Sequence, residues 1–264
     1  MNNNQKDIVT STINSPSIKN VKNLFILSLI LVAVFGNILQ KINFWLGLSL
    51  TETLLILLPT VIFIYKGKFS PRLVLRLNYP GIIPLLIGII IGICVWPLGF
   101  IIQINLLNLF SSASYDIMNM ISEISHSNMI YRLIILGFLA GICEEILFRG
   151  YIQTAIENKF GIKKGIIWTT ILFSVFHLEP VRIIAVLPIA LLMSWTCWKF
   201  NSIFPAILIH FSNNFLAPYI FSNYEPSTLR LFYLVTIICG LFIFIIFLFA
   251  NNLVLKNYNN SLKI

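Results

Sequence analysis

Eight apolar runs, separated by short polar breaks, set the terms for any fold this chain can adopt. They lie at roughly 23–40, 44–65, 81–103, 131–152, 165–180, 183–200, 203–220 and 229–253. A helix rising 1.5 Å per residue needs about 20 apolar residues to cross ~30 Å of hydrocarbon. Most of the runs meet or approach that length. Composition agrees: 58% of residues are hydrophobic and 10% charged, against about 25% charged in soluble domains. The expectation is an all-α polytopic membrane protein of about eight transmembrane helices around an intramembrane polar cavity. Residues 1–264 form one domain, with 1–22 a polar cytoplasmic tail and the first span uncleaved, because no small-residue cleavage site follows it.

The net charge of +9 would suggest nucleic acid in a soluble protein. Here it reads as basic loops held against an anionic leaflet, with the bilayer and no nucleic acid as partner. With eight spans, fourteen of the 18 Lys and Arg fall on the side of the N-terminus, and Lys41, Arg132, Arg182 and Arg230 on the other. That bias predicts an even number of spans in the plasma membrane with both termini cytoplasmic. Cys94, Cys143, Cys197 and Cys239 lack paired spacing and read as small buried hydrophobes. Segments 66–80 and 104–130 are the two sizeable connections, and Ser111 to Asn128 suits a helix lying in the interface.

Ionisable groups inside apolar spans are costly and point to function. Glu52, Glu144, Glu145, His177, His210, Asn213 and Asn214 lie within or at the ends of runs. Arg149 follows Glu145 by one helical turn and shares its face, whereas Glu144 points about 100° away. One carboxylate is therefore claimed by the guanidinium and the other is free. Phe173 precedes His177 by one turn, and His210 precedes Asn214 by one turn. If three helices bring these groups together, they have the parts for hydrolysis: a carboxylate to take a proton from water, and imidazole or carboxamide to orient water and bind an oxyanion. Taken singly, most have a bland reading. Glu52 is expected to be structural or water-facing, Glu123 and His126 solvated, and Glu179 interfacial beside Pro180.

Together these segments resemble one family. Glu-Glu-x-x-x-Arg (Glu144, Glu145, Arg149), Phe-x-x-x-His (Phe173, His177) and His-x-x-x-Asn (His210, Asn214) are similar, in order, to the motifs of the CAAX protease and bacteriocin-processing family. Gaps of 33 residues separate Glu144 from His177 and His177 from His210. The resemblance covers about 134–216, the expected catalytic core. It implies an intramembrane endopeptidase acting on a peptide or small protein. Glu144 would activate water with help from His177, and His210 and Asn214 would stabilise the oxyanion. Glu145, Arg149 and Phe173 would support the site.

Two His and one Glu (His177, His210, Glu144) would also suit zinc, and such proteins are often labelled metalloproteases. The same residues serve a metal-free, glutamate-activated water, which is the reading favoured here. An Asn/Ile/Lys-rich composition suggests a bacterial source, and hence a bacteriocin leader, a signalling peptide or a membrane partner as substrate. The rivals are a non-catalytic immunity or scaffold protein and a small proton-coupled transporter. No repeat relates the two halves, which weighs against the transporter. If Arg149 marked the interface, Glu144 and His177 would lie at different depths. Span four is therefore expected to run on toward Gln153 with Arg149 buried against Glu145.

Overall fold

The computed structural model describes residues 15–107, 123–124, 126–222 and 225–261. The described residues hold helices and no strand. Helix α1 (Ile18–Ile42) begins at Ser17, whose hydroxyl accepts from the Asn20 amide at 3.2 Å, a standard N-cap. Asn43, in extended conformation, ends α1 and caps α2 (Phe44–Lys66) through the Leu46 amide at 2.9 Å. A four-residue helix α3 (Pro71–Val74) and the long α4 (Ile82–Leu107) follow. Helix α5 runs without a break over 129–160. Then come α6 (Ile162–Val175), the short α7 (Pro180–Ala185), α8 (Leu187–Lys199), α9 (Phe204–Ser222) and α10 (Leu229–Ser261).

Among the described residues four helices, α1, α2, α4 and the Leu229–Asn251 part of α10, are long and apolar enough to cross a bilayer. Helices α6 and α8, at 14 and 13 residues, are shorter than the runs 165–180 and 183–200 predicted. The cause is local. Proline has no amide hydrogen to continue a helix, and Leu178 adopts φ +61° just before Pro180. The chain therefore turns over residues 176–179, and the Glu179 carboxylate caps α7 through the Val181 and Arg182 amides at 2.9 and 2.7 Å. The first helix also starts earlier than expected, so Lys19 and Lys22 belong to α1 rather than to a tail. Glu123 and His126 are exposed, as expected. The interface helix expected in Ser111–Asn128 falls largely outside the described residues, as does most of the tail.

Helix α4 carries Gly88 and Gly92 against α9. A Cβ on Gly92 would sit 2.5 Å from the Ile209 carbonyl oxygen, and one on Gly88 2.7 Å from that of Pro205. Small residues four apart allow two membrane helices to approach closely. That contact fixes α9, and with it the residue after Ile209, which is His210. Between α5 and α6 the link is Gly161 alone, at φ +88°, a conformation that costs a residue with a Cβ.

Candidate active site

Helix α5 carries the carboxylates. As expected, it continues past Arg149, ending at Phe160. Two of its stretches, Arg132–Leu139 and Ile146–Ile152, have wide π-type turns and flank Glu144 and Glu145. Such turns recur at functional sites because they shift which residues face a neighbour. From Glu145 onward one face is a ladder with four-residue steps: Glu145, Arg149, Gln153, Glu157. Each rung finds a partner. Arg149 Nη1 donates to Glu145 Oε1 at 2.9 Å and Nη2 to the Ala190 carbonyl of α8 at 3.2 Å. Gln153 Nε2 donates to the Ser194 carbonyl at 2.8 Å and to Glu157 Oε1 at 2.7 Å. Glu157 in turn pairs with Arg76, from the connection after α3. The helix can hold buried charge because successive turns neutralise one another.

The fully buried Glu145 carboxylate has a second partner, His210 of α9. His210 Nδ1 lies 2.9 Å from the same Oε1 that Arg149 reaches. A carboxylate can only accept, so Nδ1 carries the proton and Nε2 keeps its lone pair in the neutral ring. Nε2 is 4.0 Å from Glu144 Oε2, too long for a direct hydrogen bond. That oxygen is buried and has no hydrogen-bond partner among the described residues. The adjacent carboxylates thus meet the two nitrogens of one imidazole. Glu145 holds the ring, and Glu144 faces its open nitrogen.

His177, at the turn after α6, has Nδ1 3.0 Å from the Phe173 carbonyl. A carbonyl also only accepts, so His177 likewise keeps its lone pair on Nε2. The Phe173 ring stands between the groups, with centroids 5.1 Å from His177 and 5.8 Å from His210. The Arg149 guanidinium lies over it at 4.1 Å, within cation–π range. Asn214 donates one amide hydrogen to the Leu136 carbonyl of α5 at 3.1 Å, tying α9 to α5 one turn beyond His210. Beside it, Asn213 lines a cleft of about 80 Å³ together with Gln103 of α4 and Pro188 of α8.

Two residues take places that the sequence did not assign them. Glu52 is 3% exposed, with a carboxylate oxygen buried and unpaired. It sits in a third π-type stretch, Thr51–Leu57, close enough to Glu144 for the two carboxyls to repel. Arg182, read as a loop charge, lies on α7 within electrostatic reach of Glu144, Glu179 and His177. Burial of Glu52 was readable as a charge in a span; its neighbour, 92 positions away, was not. Among the described residues no three His, Cys, Asp or Glu side chains converge closely enough to hold a metal ion. Glu144, His177 and His210 as arranged here do not make a zinc cradle.

The family model described as "Type II CAAX prenyl endopeptidase Rce1-like" matches residues 126–216. Over that stretch, about a third of the chain, the sequence is similar to this family. The match bears out the family read from the motifs, and its span holds the whole Glu144, Glu145, Arg149, Phe173, His177, His210 and Asn214 set. Comparison with curated proteins, and separately with solved structures, finds no match. The Rce1-like segment lies in a helical membrane protein whose flanking helices α1, α2, α4 and α10 provide the length to span a bilayer.

Proposed function

We propose that this chain is an intramembrane endopeptidase that hydrolyses a peptide bond in a peptide or small protein, with Glu144 as general base. The observation that carries the reading is the His210 ring held between two adjacent carboxylates. Glu144 Oε2 and His210 Nε2 are both acceptors and stand 4.0 Å apart. A water molecule can donate one hydrogen to each and keep its lone pairs for attack. Its oxygen bonds to the scissile carbonyl carbon while Glu144 takes the proton. That proton then passes to the departing amine as the carbon–nitrogen bond breaks. The water's second hydrogen is held by the open Nε2 of His210 or of His177. Asn214, with an amide hydrogen still to give, stabilises the oxyanion. The oxyanion role the resemblance implies for His210 would need a hydrogen on that same Nε2. The Glu145 carboxylate behind Nδ1 fixes the His210 tautomer, as a buried acid does in hydrolase triads. Arg149 holds the Glu145 carboxylate from its other side and keeps it out of the chemistry.

The chain count of eight spans, a plasma-membrane location and cytoplasmic termini belong to the same proposal. Its support is the excess of Lys and Arg on one side of the helices, which survives moving the buried Arg149 and the partly buried Arg182 out of the loop count. Bacteriocin leaders, signalling peptides and small membrane proteins are the substrate classes proposed.

The test compares the purified protein with Glu144→Ala and His177→Ala on the peptide and membrane-protein fraction of its own cell, reading new termini by mass spectrometry. Termini made by the wild type and absent from both variants support the peptidase. Identical fragments from all three, with the variants still conferring the cellular phenotype, would give the role to a non-catalytic scaffold.

A further inference from the structure

An apolar groove of about 400 Å³ runs between α1, the end of α5 and α6. Val21, Phe25 and Ile26 form one wall, and Phe160, Trp168 and Leu172 the other. Trp168 is half exposed, and the open side continues into the lipid-facing aliphatics Ile26 and Ile30. The rim is basic. Lys22 lines the groove, and the Lys164 ammonium lies 5.9 Å from the ring of Phe160 in its wall. Lys19, Lys159 and Lys163 extend the patch along the same helix ends, and all are exposed. Glu157, the acidic residue of these segments, is already paired with Arg76 and Gln153.

We propose that this groove binds one acyl chain of an anionic phospholipid, with its phosphate held by Lys22 and Lys164. A single flexible hydrocarbon chain fits the shape. A zwitterionic headgroup offers the lysines no net charge, whereas an anionic one does, and basic pockets between membrane helices near the headgroup level bind such lipids. This assignment is independent of the peptidase reading.

The full chain is reconstituted in phosphatidylcholine vesicles containing a minor fraction of brominated lipid, because bromine in the acyl chain quenches nearby tryptophan. Subtracting the signal of Trp168→Phe isolates Trp168 from the other four tryptophans. Brominated phosphatidylglycerol should quench Trp168 more than the same fraction of brominated phosphatidylcholine. In the Lys22→Gln/Lys164→Gln variant, whose changes are on exposed side chains, the preference should weaken about fivefold for each lysine lost. Equal quenching by the two lipids, or a preference unmoved in the double variant, would overturn the headgroup assignment. A Trp168 signal that neither lipid quenches, in a chain that cross-links as a dimer through α1, would give the groove to a second copy and overturn the proposal.

Discussion

Glu145 and Arg149 are fully buried, so each depends on the other for a charge partner. Losing one member of such a pair leaves an uncompensated charge and costs about 3–5 kcal/mol, whereas replacing both with neutral residues is often tolerated. Glu145→Gln and Arg149→Met should each lower the melting temperature sharply in detergent, and the double variant should recover much of the loss. Glu144 is different: its side chain is 15% exposed and its Oε2 has no partner. Glu144→Gln should therefore fold normally while turnover falls by about 10²–10⁴, the usual contribution of a general base. A thermal scan beside a cleavage assay separates the two cases, and similar melting losses for Glu144→Gln and Glu145→Gln would sink the division of labour. Glu52 poses a third case. Removing an unsatisfied buried carboxyl gains about 1–3 kcal/mol, so Glu52→Leu should melt higher than wild type. It should also cut slower, if the carboxyl beside Glu144 serves the chemistry.

At the scale of elements, much of the site was legible because helical periodicity is local. The four-residue steps between Glu145 and Arg149, Phe173 and His177, and His210 and Asn214 already place each pair on one face. What periodicity cannot report is which faces meet. It could not show that His210 closes on Glu145, that Glu52 of α2 reaches Glu144, or that the turn at residues 176–179 brings Arg182 inward. The α4–α9 crossing belongs to the same class of hidden information. Gly92 touches no site side chain, yet a Cβ there would strike the backbone at Ile209. Gly92→Val should move α9, cost about 1–3 kcal/mol through overpacking, and depress turnover beyond what stability explains. Wild-type turnover from a Gly92→Val protein would show that His210 is positioned by something other than this contact.

For the whole molecule, the fold class could be read from the apolar runs, but the comparable lengths of those runs concealed unequal helices. A 32-residue α5 stands beside α6 and α8, of 14 and 13 residues. Orientation has a direct check. Epitopes added at each end should both be cut by protease only when the inner face of the membrane is opened, and opposite accessibility would require an odd number of spans. The short helices carry one more consequence. At 1.5 Å per residue α6 and α8 rise only ~20 Å, against ~30 Å of hydrocarbon. With α6 and α8 among the proposed eight spans, the bilayer should thin where they meet lipid, at a cost of fractions of a kcal/mol per ångström of mismatch. The protein should therefore gather in thin regions of a membrane, and its turnover should rise when it is moved from long-chain to short-chain lipids.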